Sequence, residues 1–116
     1  MRRTYIELAV LLSLASLLLA FCLSASARGR DDRPSRVAVS IENYAFAPDP
    51  VSITAGTTVV WTNRDEVAHT VVSADKLFSS PELEPNGSFE FTFKKAGTYA
   101  YFCTLHPEMK GKAIVK

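Results

Sequence analysis

The stretch SFEFTFKKAGTYAYFC, residues 88–103, alternates too regularly to be read as anything but strand. Phe89, Phe91 and Phe93 recur at every second position with Glu90 and Thr92 between them, the period of a strand with one buried face. Ala96-Gly97 punctuates the run, and 98–103 resumes it with Tyr99, Tyr101 and Cys103 on one side and Ala100 and Phe102 on the other. Downstream, 112–116 forms a last short strand. Upstream, Val37, Val39 and Ile41 alternate with smaller or polar residues, and Val51-Ser52-Ile53-Thr54 repeats the pattern. Ala55-Gly56 then turns the chain into 57–63, where Val59 and Trp61 share a face, and 69–73 adds a β-branched run. Nothing after Ala27 follows a helical repeat. Seven to eight short strands separated by Gly and Pro turns predict an all-β fold, a Greek-key β-sandwich.

Two sheets packed face to face must fill the space between them with inward side chains. Trp61, Phe89, Phe91 and Phe93 are therefore assigned to that core and not to a platform for sugars or bases.

The 116 residues make about one domain, which excludes a multidomain enzyme. The 13 Lys+Arg and 12 Asp+Glu are spread along the chain, so no basic face is available for nucleic acid. Apolar residues, 47% of the total, are concentrated at the front. Arg2 and Arg3 precede an apolar run over 8–23, and Ala25-Ser26-Ala27 follows, the three parts of a secretory signal peptide. Cleavage is expected after Ala27, which makes 1–27 an address for export to the periplasm. The run is shorter than the roughly 20 residues that span a bilayer and borders Glu7, so no membrane span is expected after cleavage. Acylation of Cys22 is the lesser alternative, because Phe21 is bulky for the position before a lipidated cysteine. Residues 28–36, RGRDDRPSR, lack any large apolar side chain and read as a flexible charged leader. The folded domain is expected over 37–116, charge-balanced and monomeric.

Export places the chain where small domains usually pair their cysteines, and removal of Cys22 leaves Cys103 alone. A lone thiol there is liable to oxidation unless it is buried or bound to metal. The remaining soft or imidazole donors are His69, His106 and Met109. Three of the four donors fall in Cys103-Thr104-Leu105-His106-Pro107-Glu108-Met109, a loop between two strands that can fold its side chains onto one point. Gly111 then releases the chain into the last strand. His69 must be brought to the same end of the sandwich by sheet packing. Zinc is usually held by cysteine, histidine or carboxylate, so a thioether adds little for it. One thiolate, two imidazoles and a thioether suit copper in an electron-transfer site.

On these residues the chain resembles the cupredoxins, and among them it is most similar to the amicyanin type, with plastocyanin and pseudoazurin more distant. The 103–109 loop is like the short amicyanin loop, and Trp61-Thr62-Asn63-Arg64-Asp65 followed by His69 keeps the spacing from tryptophan to first copper histidine. The resemblance implies that His69, Cys103 and His106 form the equatorial plane of one type 1 copper, that Met109 is axial, and that the His106 edge is the electron port. It also implies that Asn63 hydrogen-bonds around Thr104. The chain departs from the pattern at four places. Ala68 and Thr70 stand where proline and asparagine flank the first histidine, Leu105 replaces the proline of the loop, and Glu108 replaces a phenylalanine. Hydrogen bonding near the thiolate and choice of partner are expected to differ accordingly, and a methylamine dehydrogenase donor is not carried over.

The function so implied is that of a periplasmic blue copper electron-transfer protein, not an enzyme, cycling between Cu(II) and Cu(I). Its partners would be transient redox proteins (a cytochrome, a dehydrogenase or an oxidase) docking around His106, with Leu105 and Pro107 in the contact. The alternative is a periplasmic copper-binding or delivery protein, which needs an accessible, exchangeable site. A copper enzyme would need a second centre or an open position, and no spare histidines exist to build one. An adhesive sandwich with structural histidines leaves the four-donor spacing without a reason.

Overall fold

The computed structural model describes residues 33–116. The expected signal peptide over 1–27 and the leader up to Asp32 lie outside the described residues. Eight strands follow in order: β1 (Arg36–Glu42), β2 (Ala45–Ala47), β3 (Val51–Ile53), β4 (Thr57–Asn63), β5 (Val72–Ser73), β6 (Ser88–Phe93), β7 (Gly97–Phe102) and β8 (Lys110–Val115). They form two four-stranded sheets, ordered β2-β1-β4-β6 and β3-β8-β7-β5, with no helix among the described residues. The expected β-sandwich is thus present. β1 starts at Arg36, one residue before the boundary drawn from sequence at Val37, because Arg36 already pairs with Thr58 and its guanidinium meets Glu90.

Alternation sets the interior. Val39, Ile41, Val59, Trp61, Phe93 and Tyr101 are buried, all but closed to solvent. Trp61 on β4 meets Tyr101 on β7 edge-on at 5.3 Å between ring centroids, which ties the two sheets together. Phe89 and Phe91 are only half-buried. Phe78, from the connection ahead of β6, packs on both and on Phe93, so the aromatic stripe is core with a roof.

Two elements differ from the sequence expectation. The run 69–73 was expected as a strand, but only Val72–Ser73 joins β7, and His69 contributes a single bridge to Leu83. The backbone there is committed elsewhere: the Thr70 N–H points to the Cys103 sulfur and the Val71 N–H to the Ser80 hydroxyl, so a continuous ladder cannot form. The second difference is β2, a short alanine-rich strand with no sequence signal, paired to β1 across a two-residue turn at Asn43-Tyr44. Both turn residues have positive φ, 54° and 58°, as a tight hairpin of this twist requires.

Candidate metal centre

Cys103 follows β7, and β8 begins at Lys110, so the loop between them lies at one end of the second sheet. The loop is closed by its own backbone: the Met109 N–H donates to the His106 carbonyl at 2.9 Å and the Cys103 N–H to the Met109 carbonyl at 3.1 Å. This closure turns Cys103 inward and leaves His106 half-buried at the surface. His69 arrives from the first sheet's side, held by reciprocal backbone bonds with Leu83.

The Cys103 sulfur lies 3.8 Å from His69 Nδ1 and 3.7 Å from His106 Nδ1. One donor atom from each of the three residues falls within 4.8 Å of the others. Cys103 and His69 have no exposure at all. Met109 is buried too, and it lines a surface opening with Tyr44, Leu105, His106, Pro107 and Glu108. Sequence reasoning named all four of these donors, and the structure brings them to one end of the molecule. Leu105 and Pro107 flank His106 as exposed residues, and Glu108 is exposed beside them.

Each donor is oriented. Asp65, four residues before His69, accepts from His69 Nε2 at 2.8 Å. A carboxylate only accepts, so Nε2 carries a proton and the ring presents its Nδ1 to the Cys103 sulfur. The same carboxylate accepts the Asn43 N–H at 2.7 Å and the Tyr44 N–H at 3.0 Å. Burial pushes the Asp65 carboxyl up, but those two N–H groups and the His69 ring outweigh it and hold the group below the usual aspartate value. Burial also pushes the Cys103 thiol up. The Thr70 N–H at 3.3 Å, the two imidazoles and the Thr70 hydroxyl more than offset this and bring it down to about 6, so the sulfur is a thiolate at neutral pH.

One expected contact is corrected. Asn63 does not reach Thr104. Its amide donates to the Val67 and Leu83 carbonyls at 2.8 and 2.9 Å, and its oxygen accepts the Asp65 N–H, which places Asn63 under the loop that carries Asp65 and His69. Thr70 makes the contact instead. Its Oγ1 accepts the Thr104 N–H at 2.8 Å and lies 2.8 Å from the Thr104 hydroxyl. Two residues at the site had no role in the sequence reading, Asp65 and Tyr44. Asp65 lay inside the quoted Trp61–Asp65 motif, and its four-residue spacing to His69 was the available signal. Tyr44 gave none.

The donor chemistry fits copper: one thiolate, two imidazoles presenting Nδ1, and a thioether in the same loop. Residues 12–115 match the family model of the cupredoxin-like domain. The chain is 36% identical over 85 residues to amicyanin of Paracoccus versutus, covering 69% of this chain and 64% of that protein, so it spans just under two thirds of that relative's length. It is 37% identical over 83 residues to amicyanin-alpha of Methylorubrum extorquens, covering 67% of this chain and 70% of that one. The solved structure of the Cu(I) form of an amicyanin mutant superposes with a TM-score of 0.66 at 30% identity, covering 74% of this chain and 87% of that chain. With ligand chemistry, fold and sequence in agreement, the chain belongs to the cupredoxin family and stands with the amicyanins within it.

Proposed function

We propose that this protein is a blue copper electron carrier of the periplasm, in which His69, Cys103 and His106 hold the metal and Met109 is the weak fourth donor. One observation carries the reading: the Cys103 sulfur faces two Nδ1 atoms at nearly equal distances in a buried pocket. Copper, when bound, supplies a Cu(II)/Cu(I) couple that accepts and returns one electron. The protein's part is to hold the donors still. His69 is fixed through Asp65, the thiolate is fixed through Thr70, and the sandwich excludes water from both. His106, flanked by exposed Leu105 and Pro107, offers a partner the shortest way in. The surface there is apolar at Leu105 and Pro107 and charged at Glu108, and a small contact of this kind suits brief encounters with redox proteins. No helix among the described residues is long and apolar enough to cross a membrane. The N-terminal sequence supports export, and the amicyanin relatives support an electron carrier and not an enzyme.

The test is the visible and electron paramagnetic resonance spectrum of the purified protein after Cu(II) addition. An intense thiolate-to-copper band, bleached by ascorbate and restored by reoxidation, is expected. Cys103→Ser should abolish the band, and Met109→Leu should keep copper while shifting the potential. A colour that survived Cys103→Ser would end the copper-thiolate reading, and a pale Cu(II) spectrum in the unmodified protein would favour copper carriage.

A further inference from the structure

Tyr44 is a large aromatic residue at 52% exposure in the second position of a two-residue hairpin turn. Its φ of 58° is in the left-handed region, where such turns favour glycine or asparagine and a bulky residue is an outlier. A conformation of that kind persists when the surroundings fix it. Two sets of contacts do so here. The backbone N–H of Tyr44 is bound to Asp65, the carboxylate that also orients His69. The ring stands edge-to-face on both imidazoles, with centroids 5.4 Å from His69 at 90° and 5.0 Å from His106 at 86°. These separations and angles are those that aromatic pairs prefer. His69 and His106 are themselves 4.9 Å apart, so the three rings form one cluster. His106 is half-buried, and no carboxylate among the described residues holds its ring as Asp65 holds that of His69.

From this we infer that Tyr44 is a positioning residue of the metal centre: its ring holds the two imidazoles, His106 above all, with Nδ1 turned toward Cys103. The inference rests on the copper reading for its consequence but not for its geometry, which is present in the protein alone. Turn and ring make opposite demands on position 44. Tyr44→Gly gives the Asn-Gly pair that this turn prefers while deleting the ring, and Tyr44→Phe keeps the ring while deleting the hydroxyl.

Three measurements on the full-length protein and both variants decide it: the rate of Cu(I) loss to an excess of a colorimetric Cu(I) chelator, the melting temperature of the metal-free form, and the proton NMR signals of the His106 ring in the metal-free form. The expected result for Tyr44→Gly is release at least fivefold faster, a melting temperature no lower than that of the unmodified protein, and a displaced or broadened His106 signal. Tyr44→Phe should release copper within twofold of the unmodified rate. The proposal is overturned if Tyr44→Gly releases copper at the unmodified rate, if Tyr44→Phe releases as fast as Tyr44→Gly, or if release speeds up only together with a loss of melting temperature. If the unmodified protein takes up no copper, the copper reading fails, and the NMR comparison still decides whether the ring holds His106.

Discussion

Thr70→Val keeps the shape of the side chain and removes its oxygen, which takes the protein acceptor away from the N–H of the exposed Thr104. Water can take the place of the lost acceptor, so the cost is the net value of one hydrogen bond, about 0.5–1.5 kcal/mol, and the urea midpoint should fall by a corresponding amount. The backbone N–H of Thr70 still reaches the sulfur but the hydroxyl's contact with it is lost, so the thiolate band of the copper-loaded variant should remain and shift in position. A variant with unchanged stability would show that Thr70 does not tie the loop to the segment after His69. At this scale the sequence was legible where residues are chemically rare. His69, Cys103, His106 and Met109 stand out because few other side chains could bind a soft metal. Thr70 does not stand out, because its hydroxyl acts on a residue 34 positions away and threonine is common on strands. The amide of Asn63 was expected at Thr104 and went to two carbonyls that only the folded loop brings near.

Among the elements, β8 meets β7 through its smallest residue. Tyr101 pairs with Gly111, and a Cβ at Gly111 would stand 2.7 Å from Tyr101 Cε2 and 2.9 Å from Cζ. The Tyr101 ring is buried between Trp61 and Phe46 and has no room to withdraw. Gly111→Ala should therefore cost about 1–3 kcal/mol through overpacking, measured as a lower denaturation midpoint. If the midpoint did not move, the Tyr101 ring would have to be freer than its burial implies. Gly111 read from sequence as a release point into the last strand, and the structure adds that it is the floor beneath a core ring. Long alternating runs such as Thr57–Asn63 were legible to the residue because one face is fully committed to the core. The 69–73 run was not, because side-chain and thiolate acceptors claim its amides, and β2 was not, because two alanines and one phenylalanine carry no period.

For the whole molecule, metal and fold should be coupled. The proposed ligands come from two separate segments, the Asp65–His69 loop and the 103–109 loop, and a bound ion would join them in the folded state alone. With free copper about a thousandfold above its dissociation constant, linkage contributes about 4 kcal/mol, or roughly 15–30 °C in melting temperature for a domain of this size. Calorimetry with and without copper checks this, and Cys103→Ser should lose most of the increment. Equal melting temperatures for loaded and metal-free protein would mean that copper binds without engaging both loops.

Strand direction also fixes which way the molecule faces. Arg36 pairs with Thr58 at the start of β4, and Lys116 is bonded to Ile53 and Ala55, so the chain enters and leaves the sandwich beside the β3–β4 turn. The histidine end is the other one, since β8 runs from Lys110 beside Phe102 to Val115 beside Gly97, a length of about 17 Å at strand rise. A linker, fusion or electrode tether attached after Lys116 therefore presents His106 to the solution and keeps it away from the support. Wiring the centre directly to a surface calls for an attachment point on the opposite rim, near Leu105.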